Sequence, residues 1–225
     1  ESNHLELADI DGIDLSCKRH FHFTELVHAD ADCIFRNRES GLHAVTLSGS
    51  PIYHTTGGPS GTGYCALDGG SASIRLQDLQ DDFVFGTGDY SIAVWMQTLP
   101  SGALVDIGGS GPGVILDQGV SLGTGDWSLR TGTGAGAGSM VSAGANIPYP
   151  ATAPGTWAKF EQRRVGGVDT SYYNNVAVGS AINTFNFTKA SKFLDIGLYQ
   201  LYYDKSNIAG LVIRKAGQVV LSMFP

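Results

Sequence analysis

Five tyrosines crowd the last third of this 225-residue chain, Tyr172, Tyr173, Tyr199, Tyr202 and Tyr203, and three hydrogen-bonding side chains stand among them, Asn174, Asn175 and Asp204. Aromatic rings stack on the C–H faces of sugars, and amide or carboxylate neighbours bond the hydroxyls. Tyr172, Asn174, Asn175, Tyr202, Tyr203 and Asp204 are therefore the candidate ligand-binding set, with a glycan as the ligand. The competing reading of the same tyrosines is that about half of them fill a core.

Other chemistries fit less well. His20, His22 and His28 precede Asp30, Asp32 and Cys33, and His20 and His22 would share one strand face, a conceivable zinc or nickel geometry. HxH pairs also arise on solvated strand faces, and the remaining spacing matches no ligand pattern. Paired carboxylates for glycoside hydrolysis would sit at alternate positions of one strand. Asp81 and Asp82 are adjacent and would face opposite sides, while Glu161 has no acidic residue two positions away. The Gly109-Ser110-Gly111 segment is a turn rather than a nucleophile elbow, and TGTGAGAG at 131–138 lacks the Gly-Lys-Ser/Thr ending of a phosphate loop. No catalytic residue, metal or cofactor is expected.

Composition points the same way. The net charge is −7, and from Leu76 to Ala158 only Arg130 is basic, so no nucleic-acid groove is expected. No apolar run approaches the roughly 20 residues of a membrane helix, so no membrane insertion is expected. The chain opens at Glu1 with no signal-like segment and no Met, which suggests processing. Cys17, Cys33 and Cys65 cannot all pair within one chain; free, buried thiols are the expected state, with one bridge as the alternative.

Behind any site stands a scaffold of short strands. Glycine supplies 31 residues and charged side chains only 16% of the chain, against 42% hydrophobic residues, as many tight turns between strands require. FVFGTGDYSIAVWM, 83–96, sends a glycine turn into a strand apolar on both faces: Ile92, Val94 and Met96 on one, Ala93 and Trp95 on the other. Such a strand is expected to be covered on both sides. Trp95, Trp127 and Trp157 are the leading core candidates. FGTGDYSI and LGTGDWSL share a turn-into-strand device in which Asp89 or Asp126 bonds nearby amides. WAKFEQRRVGGVDTSYYNNVAVGSA, from Trp157, reads as three strands joined at Gly166-Gly167 and Asn174-Asn175. LQDLQDDF, from Leu76, is the one candidate helical turn, and residues 1–35, rich in His and acid and poor in Gly, read as an arm or added edge strand.

Taken in order, RNRESGLHAVTLSGSP ending at Pro51, YCALDGG with Asp68, TGDYSIAVWM, GTWAKFEQRR, SYYNNVAV and FLDIGLY resemble the laminin G-like, concanavalin A-like jelly-roll superfamily. The resemblance covers residues 36–225. It implies an all-β, two-layer antiparallel β-sandwich of jelly-roll type that binds rather than catalyses. In IAGLVIRKAGQ, Val212 stands where related domains carry an acid, and Asp68 or Asp106 alone offers too few of the roughly six to eight oxygens calcium takes. The local style is similar to laminin G-like domains of bacteriophage virions, which serve as decoration, fibre or tail proteins. That likeness implies a virion-surface homo-oligomer whose arm contacts capsid, tail or sister subunits and whose loops meet cell-surface glycan. A secreted or cell-surface calcium-dependent lectin and a polysaccharide-degrading enzyme are the alternatives.

Overall fold

The computed structural model describes residues 20–22, 45–49, 51–67, 71–77, 84–98, 113–117, 127–131, 138–142, 145–150, 153, 155–187, 193–199, 202–203 and 206–224. The protein is a two-layer antiparallel β-sandwich of jelly-roll type. One layer runs β1 (His20–His22), β18 (Gln218–Phe224), β17 (Ser206–Lys215), β6 (Tyr90–Thr98), β11 (Trp157–Val165), β12 (Val168–Tyr173), β13 (Val176–Ile182). β3 (Ile52–His54) and β4 (Tyr64–Ala66) join it through β17, making nine strands. The facing layer runs β10 (Ala145–Pro148), β9 (Gly138–Ser142), β8 (Trp127–Thr131), β7 (Gly113–Asp117), β14 (Phe193–Ile196), β5 (Ser73–Gln77), β2 (Val45–Ser48). A ribbon of β15 (Leu198–Tyr199) and β16 (Tyr202–Tyr203) packs beside β7.

Period-two alternation explains the core. Ile92, Val94 and Met96 of β6 meet Phe160 of β11 and Ile208, Leu211 and Ile213 of β17, and Ile74 and Ile196 close the cluster from the facing layer. Each aliphatic side chain so buried contributes about 1.5–3 kcal/mol. Cys65 lies in this cluster as a free thiol, pushed up to about 12 by burial, whereas Cys17 and Cys33 lie outside the described residues.

Turns follow the sequence closely. Gly166 and Gly167 (φ 57° and 79°) join β11 to β12, and Asn174 and Asn175 (φ 48° and 68°) join β12 to β13. Two consecutive left-handed residues match the twist of a tight hairpin, which Gly allows and Asn tolerates.

Three expectations change. Two of the tryptophans are not core: Trp95 is only half-buried on the outer face of its layer, and half-buried Trp157 donates Nε1–H to the Gly57 carbonyl at 2.9 Å. Odd positions of β6 point away from the facing layer, so an indole there cannot reach the core; Trp127 starts β8, and its side chain lies outside the described residues. Among the described residues no second strand layer stacks on that outer face of β6, although Ser91 and Ala93 there are buried. Nor does Asp89 serve its own turn alone: Oδ1 accepts the Gly166 amide at 2.9 Å and its backbone carbonyl accepts the Ala216 amide at 2.9 Å, tying three strand ends together.

Among described pairings only β1 with β18 is parallel. His20–His22 thus adds an edge strand to the nine-stranded layer. The 35/36 boundary, His28, Asp30, Asp32, Asp68, Asp81, Asp82, Asp106, Gly109–Gly111, Asp126 and most of LQDLQDDF lie outside the described residues.

Candidate functional site

On the outer face of the nine-stranded layer, neighbouring strands set their odd and even positions into rows. Trp95 pairs with Lys159 on one side and Gly210 on the other; Ala93 pairs with Glu161 and Val212; Ser91 pairs with Arg163 and Arg214. Ser91 and Ala93 in the middle are small, Lys159, Glu161, Arg163 and Arg214 beside them are long, and the result is a trough with Trp95 at one end. Its cavity measures about 380 Å³ and is lined by these residues, except Gly210, together with Asp89, Tyr90, Arg164, Val165 and Gly217. Ala93 and Val212 form a buried floor.

Glu161 organises one wall. Its carboxylate, 2% exposed, accepts Nε–H and Nη2–H of Arg163 and lies 3.3 Å from Lys159 Nζ. Burial alone would push this carboxyl upward, but the Arg163 hydrogen bonds and the Lys159 and Arg163 charges outweigh it and hold the group below 4.5. The bases extend the network outward: Lys159 Nζ donates to Asn175 Oδ1 at 2.8 Å and sits 5.1 Å from the Trp95 ring centroid, and the Arg163 guanidinium lies 4.7 Å from the Tyr172 centroid. Asn174 Oδ1 accepts the Lys159 backbone amide at 2.8 Å.

The structure therefore gathers half of the candidate set. Tyr172, Asn174 and Asn175 stand beside the trough on the β12–β13 hairpin. Tyr202 and Tyr203 belong to the β15–β16 ribbon beside β7, on the facing layer, and Asp204 lies outside the described residues. Among the described residues no cluster of His, Cys, Asp and Glu is placed to hold a metal ion.

No protein family's sequence model matches the chain, and no curated protein matches it. Solved structures do. Domain 4 of AbnA, a GH43 extracellular arabinanase from Geobacillus stearothermophilus, in complex with arabinotriose, superposes with a TM-score of 0.56 at 15% identity, over 82% of this chain and 87% of that one. The receptor-binding domain of botulinum neurotoxin C/D mosaic serotype gives 0.53 at 13% identity, over 81% of this chain and 45% of that one. Botulinum neurotoxin type C, whose cell entry depends upon interaction with two ganglioside molecules, gives 0.56 at 10% identity, over 83% and 47%. At such identities the shared property is the sandwich, and this chain spans under half of the two toxin chains.

Lys159, Arg163 and Arg214 are absent from the sequence-derived candidates, and Glu161 and Trp95 stand there only as a lone acid and a core residue. A signal was present, because Lys159, Glu161 and Arg163 alternate along β11 and must share a face. Searching two positions from Glu161 for another acid passed over the bases standing there.

Proposed function

We propose that this chain is a non-catalytic glycan-binding sandwich, displayed on a virion surface and held to capsid, tail or sister subunits through its first 35 residues. One observation carries the binding reading: a half-buried indole, backed by Lys159, opens onto a trough floored by small side chains and walled by hydrogen-bonding groups. Sugars present alternating C–H faces and hydroxyls, and this wall offers both partners. That one structural neighbour is in complex with arabinotriose and that the cell entry of another depends upon interaction with two ganglioside molecules lends support.

The state of Glu161 supports the non-catalytic reading. Acid-assisted glycoside cleavage needs a carboxyl whose proton is retained near neutrality, and Glu161 is held in the opposite direction by two cations.

A glycan array on the full chain, with light scattering on the same sample, tests this reading. Saturable hits lost in Trp95→Ala, from an oligomer that releases no reducing ends, are expected. Sugar turnover, or array binding untouched by Trp95→Ala, overturns it. A strict monomer overturns the virion setting.

A further inference from the structure

The trough is not uniform along its length. At one end Trp95 stands between Lys159 and Gly210; at the other Ser91 stands between Arg163 and Arg214. These rows are four positions apart along β6, about 13 Å at the rise of an extended strand, the span of a short oligosaccharide. One end is aromatic and the other is cationic.

The two arginines at the cationic end differ in commitment. Arg163 gives Nε and Nη2 to Glu161. Arg214 lines the trough, and its side chain has no hydrogen bond or ion pair to any described residue. Its five N–H donors form a planar fork suited to two oxygens of one carboxylate, and Ser91 opposite adds a hydroxyl. Arg214, Arg163 and Lys159 face only Glu161 and Asp89 among the acids lining the trough, a local positive excess in a chain of net charge −7. A neutral ligand has no use for this excess, whereas an anionic one is steered into it.

We infer that the trough takes an acidic oligosaccharide in one direction, with a carboxylate-bearing sugar on the Arg214 fork and a neutral sugar stacked on Trp95. This rests on the glycan-binding reading above and adds the charge, polarity and orientation of the ligand. Because the bidentate contact is directional, the carboxylate is read by geometry as well as by charge. Because the end is open to solvent, its attraction weakens with salt, the screening length being about 10 Å at 0.1 M.

Calorimetric titration of the full chain with sialyllactose, trigalacturonate, their methyl esters and lactose tests the inference. Tenfold or tighter binding of either free acid over its ester, narrowing as salt rises from 0.05 to about 0.5 M, is the expected result. Arg214→Gln should remove that preference, and Arg214→Lys should restore charge attraction without restoring the full margin. Equal binding of acids, esters and lactose would overturn the acidic assignment while leaving a sugar site in place. Absence of binding by all of them would overturn both.

Discussion

Arg163 and Arg164 are consecutive residues of β11 with opposite surroundings, and the two polar regions they anchor differ in kind. Arg164 is fully buried on the inner face. Its Nε and Nη2 donate to the Gly88 carbonyl at 2.9 and 2.6 Å, Nη2 also to that of Gly86 at 2.7 Å, and Nη1 to that of Phe185 at 2.8 Å. The Tyr90 and Phe187 rings flank it with centroids at 4.9 and 4.8 Å. Beside it Asp169 accepts from Tyr90 Oη at 3.2 Å and Asn183 Nδ2 at 2.6 Å. Arg163, with a side chain 46% exposed, meets one carboxylate and one ring at the edge of an open trough. The inner region gives four guanidinium hydrogen bonds to the protein's own backbone and holds the 85–89 and 183–187 segments to β11. The outer one lies at the solvent-facing rim of the trough, where the Arg163 side chain stays 46% exposed.

The sharpest break of that contrast comes from truncating each arginine. Arg164→Ala removes four hydrogen bonds to the Gly86, Gly88 and Phe185 carbonyls and empties a fully buried site, and should cost about 3–5 kcal/mol in urea unfolding, whereas Arg163→Ala, with Lys159 still beside Glu161, should cost about 1–2 kcal/mol. Equal costs would mean that both regions are structural. Next in size is Trp95→Ala, which should weaken oligosaccharide binding at least tenfold, about 1.4 kcal/mol, by calorimetry while shifting the unfolding midpoint little. Tyr172→Ala, one strand beyond the trough lining, should weaken it about threefold, or roughly 0.6 kcal/mol.

The smallest effect is in pH. Glu161 is held below 4.5 in the folded protein, so its ionised form stabilises the fold above that pH, and the contribution is lost as pH falls from 4.5 through the folded value. Unfolding free energies of the native chain and Glu161→Gln should therefore differ by a constant amount near neutrality and converge in acid. A gap that persists well below pH 4.5 would show that the carboxylate is not what holds Lys159 and Arg163.

The turns and the inner stripe of β6 were legible because both are local. Gly-Gly and Asn-Asn carry the left-handed geometry in their own chemistry, and Ile92, Val94 and Met96 announce one face by alternation. Half of the candidate site was legible for the same reason, since Tyr172, Asn174 and Asn175 share one hairpin. Tyr202 and Tyr203 were grouped with them by nearness in sequence, but β14–β16 belong with the facing layer. Trp95 and Trp157 depart from the core expectation because size argues for burial, whereas strand parity decides it for Trp95.

Sequence alone determined which side chains share a face, because successive residues of a strand alternate whatever surrounds them. It determined also where the chain reverses. Only the tertiary structure decided that the Ala93–Trp95 face looks outward, that Trp95 meets Lys159 and Gly210, and that Arg214 meets Ser91. Those neighbours come from strands far apart in the chain, brought together by a register that the burial of the inner faces selects, and no local pattern encodes it.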